Sequence, residues 1–469
     1  MPHARVSDAV IDALESAGQQ RLADSIRDLP EQQANTLLLQ VASIDLPLVQ
    51  RLVRELVREP AEHATGSIGP AEVDRLPVDD AGLARRREAF EAGEQALREG
   101  RVAVVLLAGG QGTRLGFDHP KGMFPIGPVS NCPLFEVHAA GVGATRRRYG
   151  CDLPFLLMTS HVNDRETREF LEQQMLFGLQ PESVTTFVQG MLPAVHPVTG
   201  DILRESPDCL ALSPDGHGGI FRAMGHAAIL GDLEERGIDV IMTFQVDNPL
   251  MRPADPELIG AHLLARAEMS TLVVAKVAPE ERMGVMASVD GCTALVEYTD
   301  LPADLEVAHD EAGDLLYWAG STGVHCLDRA FATRLATGQA PLPFHRADKR
   351  VATVDDPDPQ APNAVKFEAF MFDALPLASR TATVEMAREE RFAPVKNADG
   401  PDSPATCRAA MVHRAARWLE AEGATVPRGA DGTSAFPIEI DPRLAQDAAD
   451  LHGRIPSDLA VDGPLLLRS

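Results

Sequence analysis

A chain of 469 residues, 45% of them apolar, can bury a full core without disulfides or structural metals, and at ~150 residues per domain it suggests about three domains. Its 69 acidic against 43 basic side chains give a net charge of −26, which argues against nucleic-acid or anionic-membrane partners, since phosphate surfaces recruit excess Lys and Arg. No two of the six cysteines form a C-x-x-C pair, the start has no apolar signal core, and no run reaches the ~18 apolar residues of a membrane span. The expectation is a soluble, cytoplasmic protein with reduced thiols.

Residues 1–58 read as helices, with apolar positions three and four apart (Val10, Ile11 and Leu14; Leu37, Val41 and Ile44; Val49, Leu52, Val53 and Leu56). The Pro/Gly-punctuated stretch 59–80 reads as a linker, and a helix over 83–99 ends at Gly100. The run VAVVLLA (Val102 to Ala108) is short, β-branched and closed by glycines, as a buried parallel strand should be. Strands are then expected at 155–159, 239–245 and 271–276, and helices at 164–177, 219–236 and 255–268. This alternation implies an α/β sheet of mostly parallel strands that binds its ligand at their carboxyl ends. A helix over 407–422 opens a small C-terminal domain, so the expected division is 1–99, 100–400 and 401–469.

The first strand runs into GGQGTRLG, with glycines at 109, 110, 112 and 116. Glycine lets consecutive backbone N–H groups approach phosphate oxygens. The dinucleotide fingerprint G-x-G-x-x-G fails because Leu115 occupies a glycine slot, which disfavours a nucleotide-dependent oxidoreductase, and the P-loop pattern has no match. Arg114 and Pro120-Lys121-Gly122 follow, so anion binding is the expected use of this loop.

The segment LLAGGQGTRLG…PKGMFPIG (Leu106 to Gly127) resembles the uridylyltransferases that make UDP-sugars from UTP and sugar 1-phosphates, above all the eukaryotic-type UDP-N-acetylglucosamine pyrophosphorylases. FVQGMLPA (187–194), SPDGHGGIFRAM (213–224), QVDNPL (245–250), VEYTDLP (296–302), PNAVKFEAFMFD (362–373) and REERFAPVKNADG (388–400) are similar to further family blocks, in family order. The resemblance implies a Rossmann-like, GT-A-like nucleotidyltransferase domain with a mixed sheet, a helical N-terminal region and a small C-terminal domain. It also implies UTP and a sugar 1-phosphate as partners. The oligomeric state is not written in the sequence, and a monomer is the default expectation.

The implied reaction is in-line attack of a sugar-phosphate oxygen on the α-phosphorus of UTP, with loss of pyrophosphate; positioning and charge neutralisation carry its rate. By the resemblance, Leu107, Ala108, Gly109, Gly110 and Gly112 hold the nucleotide, and Arg114, Lys121 and Lys396 are the catalytic cations. Gln189 and Gly216 match positions at the uracil, and Lys366 matches a family lysine near the phosphates that also faces the sugar side. Asp247, at the carboxyl end of a buried strand, is the expected Mg²⁺ ligand, with Asn248 behind it. Glu297 and Tyr298 match the block that meets the sugar.

Two departures fall on the sugar side. The N-acetylglucosamine enzymes carry D-G-N-G-G where this chain has Asp215-Gly216-His217-Gly218-Gly219, and a second sugar-contacting Asn falls on Ser321. Glucose-type and broad-specificity relatives resemble this chain in G-H-G. Glucose 1-phosphate, or a broad range of sugar 1-phosphates, therefore stands beside N-acetylglucosamine 1-phosphate as the uridylyl acceptor, and loss of the amides should relax selection for an acetamido group. A catalytically inactive sugar-nucleotide-binding protein is the non-enzyme alternative, and it would be expected to lose Lys121, Asp247, Lys366 or Lys396. Only five basic residues are lysines, and three of them (Lys121, Lys366 and Lys396) fall in these blocks, whereas Lys276 and Lys349 have no assigned role.

Overall fold

The computed structural model describes residues 2–59, 66–456 and 458–468, which form two compact units, each built from three stretches of chain. The smaller unit comprises Met1–Gly66, Gln189–Arg222 and Pro341–Asp373. Its helices α1 (Pro2–Ser16), α2 (Gln20–Asp28), α3 (Glu31–Ala42) and α4 (Leu46–Val53) turn their apolar stripes inward. The stripes find their partners far along the chain: Leu14, Ile26, Leu37, Val41 and Leu52 share one core with Leu192, Val195, Ile202, Leu210, Val365 and Phe367. The buried amide of Gln19 fastens this arrangement, donating to Gly200 O (3.0 Å) and accepting from Ile202 N (2.7 Å). The N-terminal helices are thus one body with segments expected inside the catalytic domain.

The larger unit comprises Ser67–Val188, Ala223–Ala340 and Ala374–Ser469. Its ten-stranded sheet contains β1 (Ile68–Pro70), β2 (Val102–Leu107), β3 (Phe155–Thr159), β4 (Val184–Val188), β5 (Val240–Gln245), β6 (Met269–Ala275), β7 (Val285–Val289), β8 (Cys292–Val296), β9 (Ala319–Asp328) and β10 (Thr381–Glu385). The path runs β1-β7-β9-β5-β2-β3-β4; β6 pairs with β9 and β10, and β8 with β7. β5, β2, β3 and β4 are parallel, whereas β9 runs antiparallel to β5 and β6. The sheet is therefore mixed, as the resemblance implies, and only one half matches the parallel pattern that strand–helix alternation suggests. All six residues of β2 are buried, as a central parallel strand covered on both faces requires.

Helices α5 (Asp80–Arg98) and α6 (Leu134–Tyr149) flank the sheet together with α7 (Asp164–Gln173), α8 (Pro256–Leu264) and α9 (Pro404–Ala421). α5 and α8 touch backbone to backbone: a Cβ on Gly93 would lie 1.8 Å from Pro256 O, and one on Gly260 would lie 1.6 Å from Ala89 O. The helix expected over 219–236 is broken at Ala228, which adopts φ 56°, into Ile220–His226 and Ile229–Glu235.

Of the expected linker, 60–65 lies outside the described residues, and the remainder is pinned. Ile68–Pro70 pairs with β7, and Asp74 exchanges backbone hydrogen bonds with Thr383 and Glu385. Buried Arg86 donates to the carbonyls of Asp74, Arg75 and Glu385 and pairs with Glu257 at 2.8 Å. The C-terminal segment has its own apolar cluster around Trp418, Leu419, Ile438 and Leu451, yet belongs to the larger unit, to which the Glu439 carboxylate binds it through Val129 N, Ser130 N and Ser130 Oγ. All six cysteines are unpaired, and burial pushes the thiols of Cys132 and Cys407 up to about 12. Among the described residues no single helix is long and apolar enough to cross a membrane.

Candidate active site

In the larger unit the register of the sheet builds the site. Leu107 of β2 pairs with Gln245 of β5 in parallel, so the chain leaves both strands side by side, one into Gly109–Gly110 and the other into Asp247. Val246 N donates to Leu107 O (3.1 Å) and Ala108 N to Met158 O (2.8 Å), which carries the pairing up to the loop. The loop then folds back: Lys121 N donates to Gly110 O at 3.1 Å and Gly112 N to His119 O at 2.9 Å. Gly112 has no room for a side chain, since its Cβ would sit 2.6 Å from Phe117 O, whereas Gly110 faces open space. The result is a short backbone arch with a bare crest.

Lys121 Nζ lies 3.3 Å from Asp247 Oδ2, both side chains more than four-fifths buried. Two of the predicted charged residues therefore meet across adjacent loops. Val395 N donates to Asp247 O (2.8 Å), which brings the segment bearing Lys396 to the same strand end. Lys396 itself pairs loosely with Asp402 (3.5 Å) and lies 5.7 Å from the centre of the Phe392 ring. Arg114 is exposed on the turn Thr113–Leu115 and has no carboxylate partner among the described residues.

Asn248, next to Asp247, turns its side chain to the segment that carries Lys396. Its amide donates to Arg391 O (2.8 Å) and accepts from Ala393 N (3.1 Å), so it is the clamp that holds the Lys396 segment in place. Two further residues were not singled out from sequence. Asn163, fully buried after β3, donates to Ala108 O (2.9 Å) and Gly110 O (3.3 Å) and accepts from Ser160 N (2.8 Å), which fixes the glycine arch from below. The signal was a lone Asn at a strand-to-helix junction. Buried His138 meets Val246 O at 3.0 Å, and burial pushes its pKa down to about 4, leaving a neutral ring under the Asp247 turn.

The sugar-side residues of this unit gather around Gly284. Ser321 N donates to Gly284 O (2.9 Å), and Glu297 Oε1 lies 3.5 Å from where a Gly284 Cβ would stand. β9 runs antiparallel to β5 with His325 opposite Thr243, so Ser321 lies at the edge of the sheet where β5 delivers Asp247. Tyr298 is 42% exposed.

The smaller unit holds the other predicted residues. Gln189 Nε2 donates to Gly216 O at 2.6 Å, which joins the two uracil candidates. Gly216 adopts φ 83°, and a Cβ there would lie 2.2 Å from Ala369 O, so only glycine fits. His217 is held by Met371 N, which donates to its Nδ1 at 3.1 Å, and packs against Phe370 and Phe372 with ring centres 5.4 and 5.6 Å away. Burial pushes His217 down to about 4 against the opposing pull of Asp373, so the ring is neutral. Lys366 extends from strand Ala364–Glu368, half-buried and without a carboxylate partner among the described residues.

Comparison with known proteins gives the arrangement its context. Residues 51–437 match the UTP–glucose-1-phosphate uridylyltransferase family. The chain is 35% identical over 446 residues to human UDP-N-acetylhexosamine pyrophosphorylase-like protein 1, covering 88% of this chain and 87% of that one. It is 33% identical over 359 residues to the UDP-N-acetylglucosamine pyrophosphorylase of Saccharomyces cerevisiae (74% and 75%). The crystal structure of the Trypanosoma brucei uridine diphosphate N-acetylglucosamine pyrophosphorylase shares the fold, with TM-score 0.79, 24% identity and coverage of 99% and 98%. With a family match over most of its length and relatives at a third identity covering most of both chains, the chain is an enzyme of the UTP–glucose-1-phosphate uridylyltransferase family.

Proposed function

We propose that this uridylyltransferase makes UDP-N-acetylglucosamine and pyrophosphate from UTP and N-acetylglucosamine 1-phosphate in the presence of Mg²⁺. The observation that carries the transfer reaction is the Lys121–Asp247 couple beside the glycine arch. A UTP phosphate chain laid on that arch meets backbone N–H groups and the Lys121 ammonium, a compact point charge suited to phosphate oxygens. Arg114 adds an exposed cation, and Lys396 is the candidate in the same unit for holding the incoming sugar phosphate; Lys366, in the smaller unit, is by itself a candidate phosphate-facing cation. These cations would offset charge that builds on the α-phosphate and the leaving pyrophosphate.

Asp247 is the residue fitted to Mg²⁺. No group of three or more His, Cys, Asp or Glu side chains converges among the described residues, which suits an ion that takes one carboxylate and fills its shell with phosphate oxygens and water. The bound ion would supply further neutralisation of the triphosphate.

The N-acetylated sugar is supported by the names of the relatives. Glucose 1-phosphate is the second reading, favoured by His217 and Ser321 at the positions where the N-acetylglucosamine enzymes carry Asn. Pyrophosphate release with UTP and Mg²⁺ over a panel of sugar 1-phosphates tests both. Release with N-acetylglucosamine 1-phosphate is expected; release with glucose 1-phosphate alone would transfer the assignment, and no release with any sugar would overturn the activity.

A further inference from the structure

In the larger unit α6 begins beside the Lys121 turn, where Leu134 N donates to Phe124 O (3.1 Å), and at the opposite end of this 16-residue helix four arginines converge on one open pocket of about 420 Å³. The last turn of α6 supplies Arg147 and Arg148, and the C-terminal segment supplies Arg443 and Arg454; Asp450 is the single acidic side chain of the lining. Carboxylates of Asp441, Asp447, Asp450 and Glu136 interleave with these arginines, three of which (Arg147, Arg148 and Arg454) are solvent-exposed, so what the pocket offers is the uncompensated remainder in a chain whose net charge is −26.

Two of the four are already neutralised. Arg148 pairs with Asp450 at 2.6 Å, and Arg443 with Asp441 at 3.0 Å and Glu136 at 3.3 Å. Asp447 is engaged by Arg252, at 3.1 Å, as well as by Arg148, at 3.5 Å. The other two are held but not compensated. Arg147 donates to Arg443 O at 3.2 Å and Arg454 to Leu444 O at 2.8 Å, and neither has a carboxylate partner among the described residues. Basic residues in a last helical turn suit the helix dipole, which accounts for Arg147 and Arg148 but not for Arg443 and Arg454 arriving opposite them. A guanidinium has five N–H donors arranged to grip a phosphate, and here adjacent backbone carbonyls fix two such forks while leaving most donors unused. The volume falls within the range of small-molecule sites and exceeds the needs of a bare phosphate.

From Arg147, Arg148, Arg443 and Arg454 around this cavity we infer a second anion site, separate from the catalytic loops, that binds a small phosphorylated metabolite through its phosphate group. Its occupant bridges the end of α6 to the C-terminal segment.

The test reads binding and not turnover, so its outcome is independent of the reaction assigned above. The full chain, saturated with UTP and Mg²⁺, is titrated with inorganic phosphate and, in a parallel arm, with glycerol 3-phosphate, while the thermal midpoint is followed. Both probes should raise the midpoint, and 0.5 M NaCl should remove most of the rise. Tighter binding of the ester assigns the cavity to a metabolite, and equal binding assigns it to free phosphate; either supports the site. In Arg147→Gln/Arg454→Gln the apparent affinity should fall at least tenfold, while the midpoint without probe and the rise induced by UTP stay as in the parent. Arg454→Gln alone should weaken binding severalfold. No rise in the parent, or an equal rise in the double variant, would overturn the proposal.

Discussion

The two units carry their candidate residues in different chemical languages. In the larger one the key contact is ionic: an ammonium and a carboxylate 3.3 Å apart on loops leaving adjacent parallel strands. In the smaller one the contacts are neutral: an amide on a carbonyl, a glycine with no space for a methyl, and a buried uncharged imidazole against two phenyl rings. Charge suits phosphates, which are alike in every nucleotide. Shape and neutral hydrogen bonds suit the parts that differ, the base and the sugar, because a buried amide left unpaired discriminates strongly. Substitution of Lys121, or of the residues that fix the glycine arch, should therefore cost turnover with every substrate, whereas substitution of His217 in the smaller unit, or of Ser321 and Glu297 on the sugar side of the larger, should redistribute preference.

The sharpest break should come from Lys121→Ala. Loss of the ammonium should lower kcat about 10²–10³-fold for every sugar 1-phosphate while the thermal midpoint barely moves; kcat within threefold of the parent would remove Lys121 from the phosphate site. Next is Asn163→Ala, which leaves Ala108 O and Gly110 O without their side-chain donor. Misplacement of the arch should cut kcat/KM for UTP about 10–10²-fold, and Asn163→Asp, which keeps the size but loses the donor, should not rescue it.

Acid should act on stability with a defined sign. His138, His217 and, in α8, His262 are all pushed down by burial to about 4 from the ordinary imidazole value of about 6.5. Between those values the unfolded chain binds protons that the native chain refuses, so stability is full above pH 6.5 and is lost as pH falls toward 4. At pH 5.5 each ring should cost about 1 kcal/mol, read as a lower urea midpoint than at pH 7.5. The smallest effect is expected from His217→Asn. An Asn can still accept from Met371 N, so the fold should persist, while the kcat/KM ratio of N-acetylglucosamine 1-phosphate to glucose 1-phosphate rises about 3–10-fold. An unchanged ratio would place sugar selection elsewhere.

Local features were legible where the chain signals through neighbours in sequence. The strands at 102–107, 155–159 and 240–245 are short apolar runs with turn residues at their ends, and they stand as read, to within a residue or two. The glycine arch, Lys121 and Asp247 follow strand ends, so their proximity is a consequence of parallel pairing. What stayed hidden depends on distant partners. The helices of 1–58 gave no sign that Phe367 and Leu192 would complete their core. Periodicity alone does not reveal the antiparallel half of the sheet, which only the resemblance implies, because polar and glycine residues within β7, β8 and β9 break the apolar run. Asn163 and Asn248 look like loop residues until their burial and their carbonyl partners are seen.

The smaller unit's assembly from 1–66, 189–222 and 341–373 bears on how the protein is born. Helices α1–α4 leave the ribosome long before the residues that cover them: Leu192 to Leu210 come later, and Val365 and Phe367 are made about 300 residues after Leu52. At ~5–20 residues per second that is an interval of roughly 15–60 s. Throughout it Leu14, Ile26, Leu37 and Leu52 have no final home, and the nascent chain depends on transient cover, its own or a chaperone's. Moving residues 1–58 to the carboxyl end would transfer the wait to Leu192, Val195, Ile202 and Leu210, and soluble yield during rapid expression is where the difference should register.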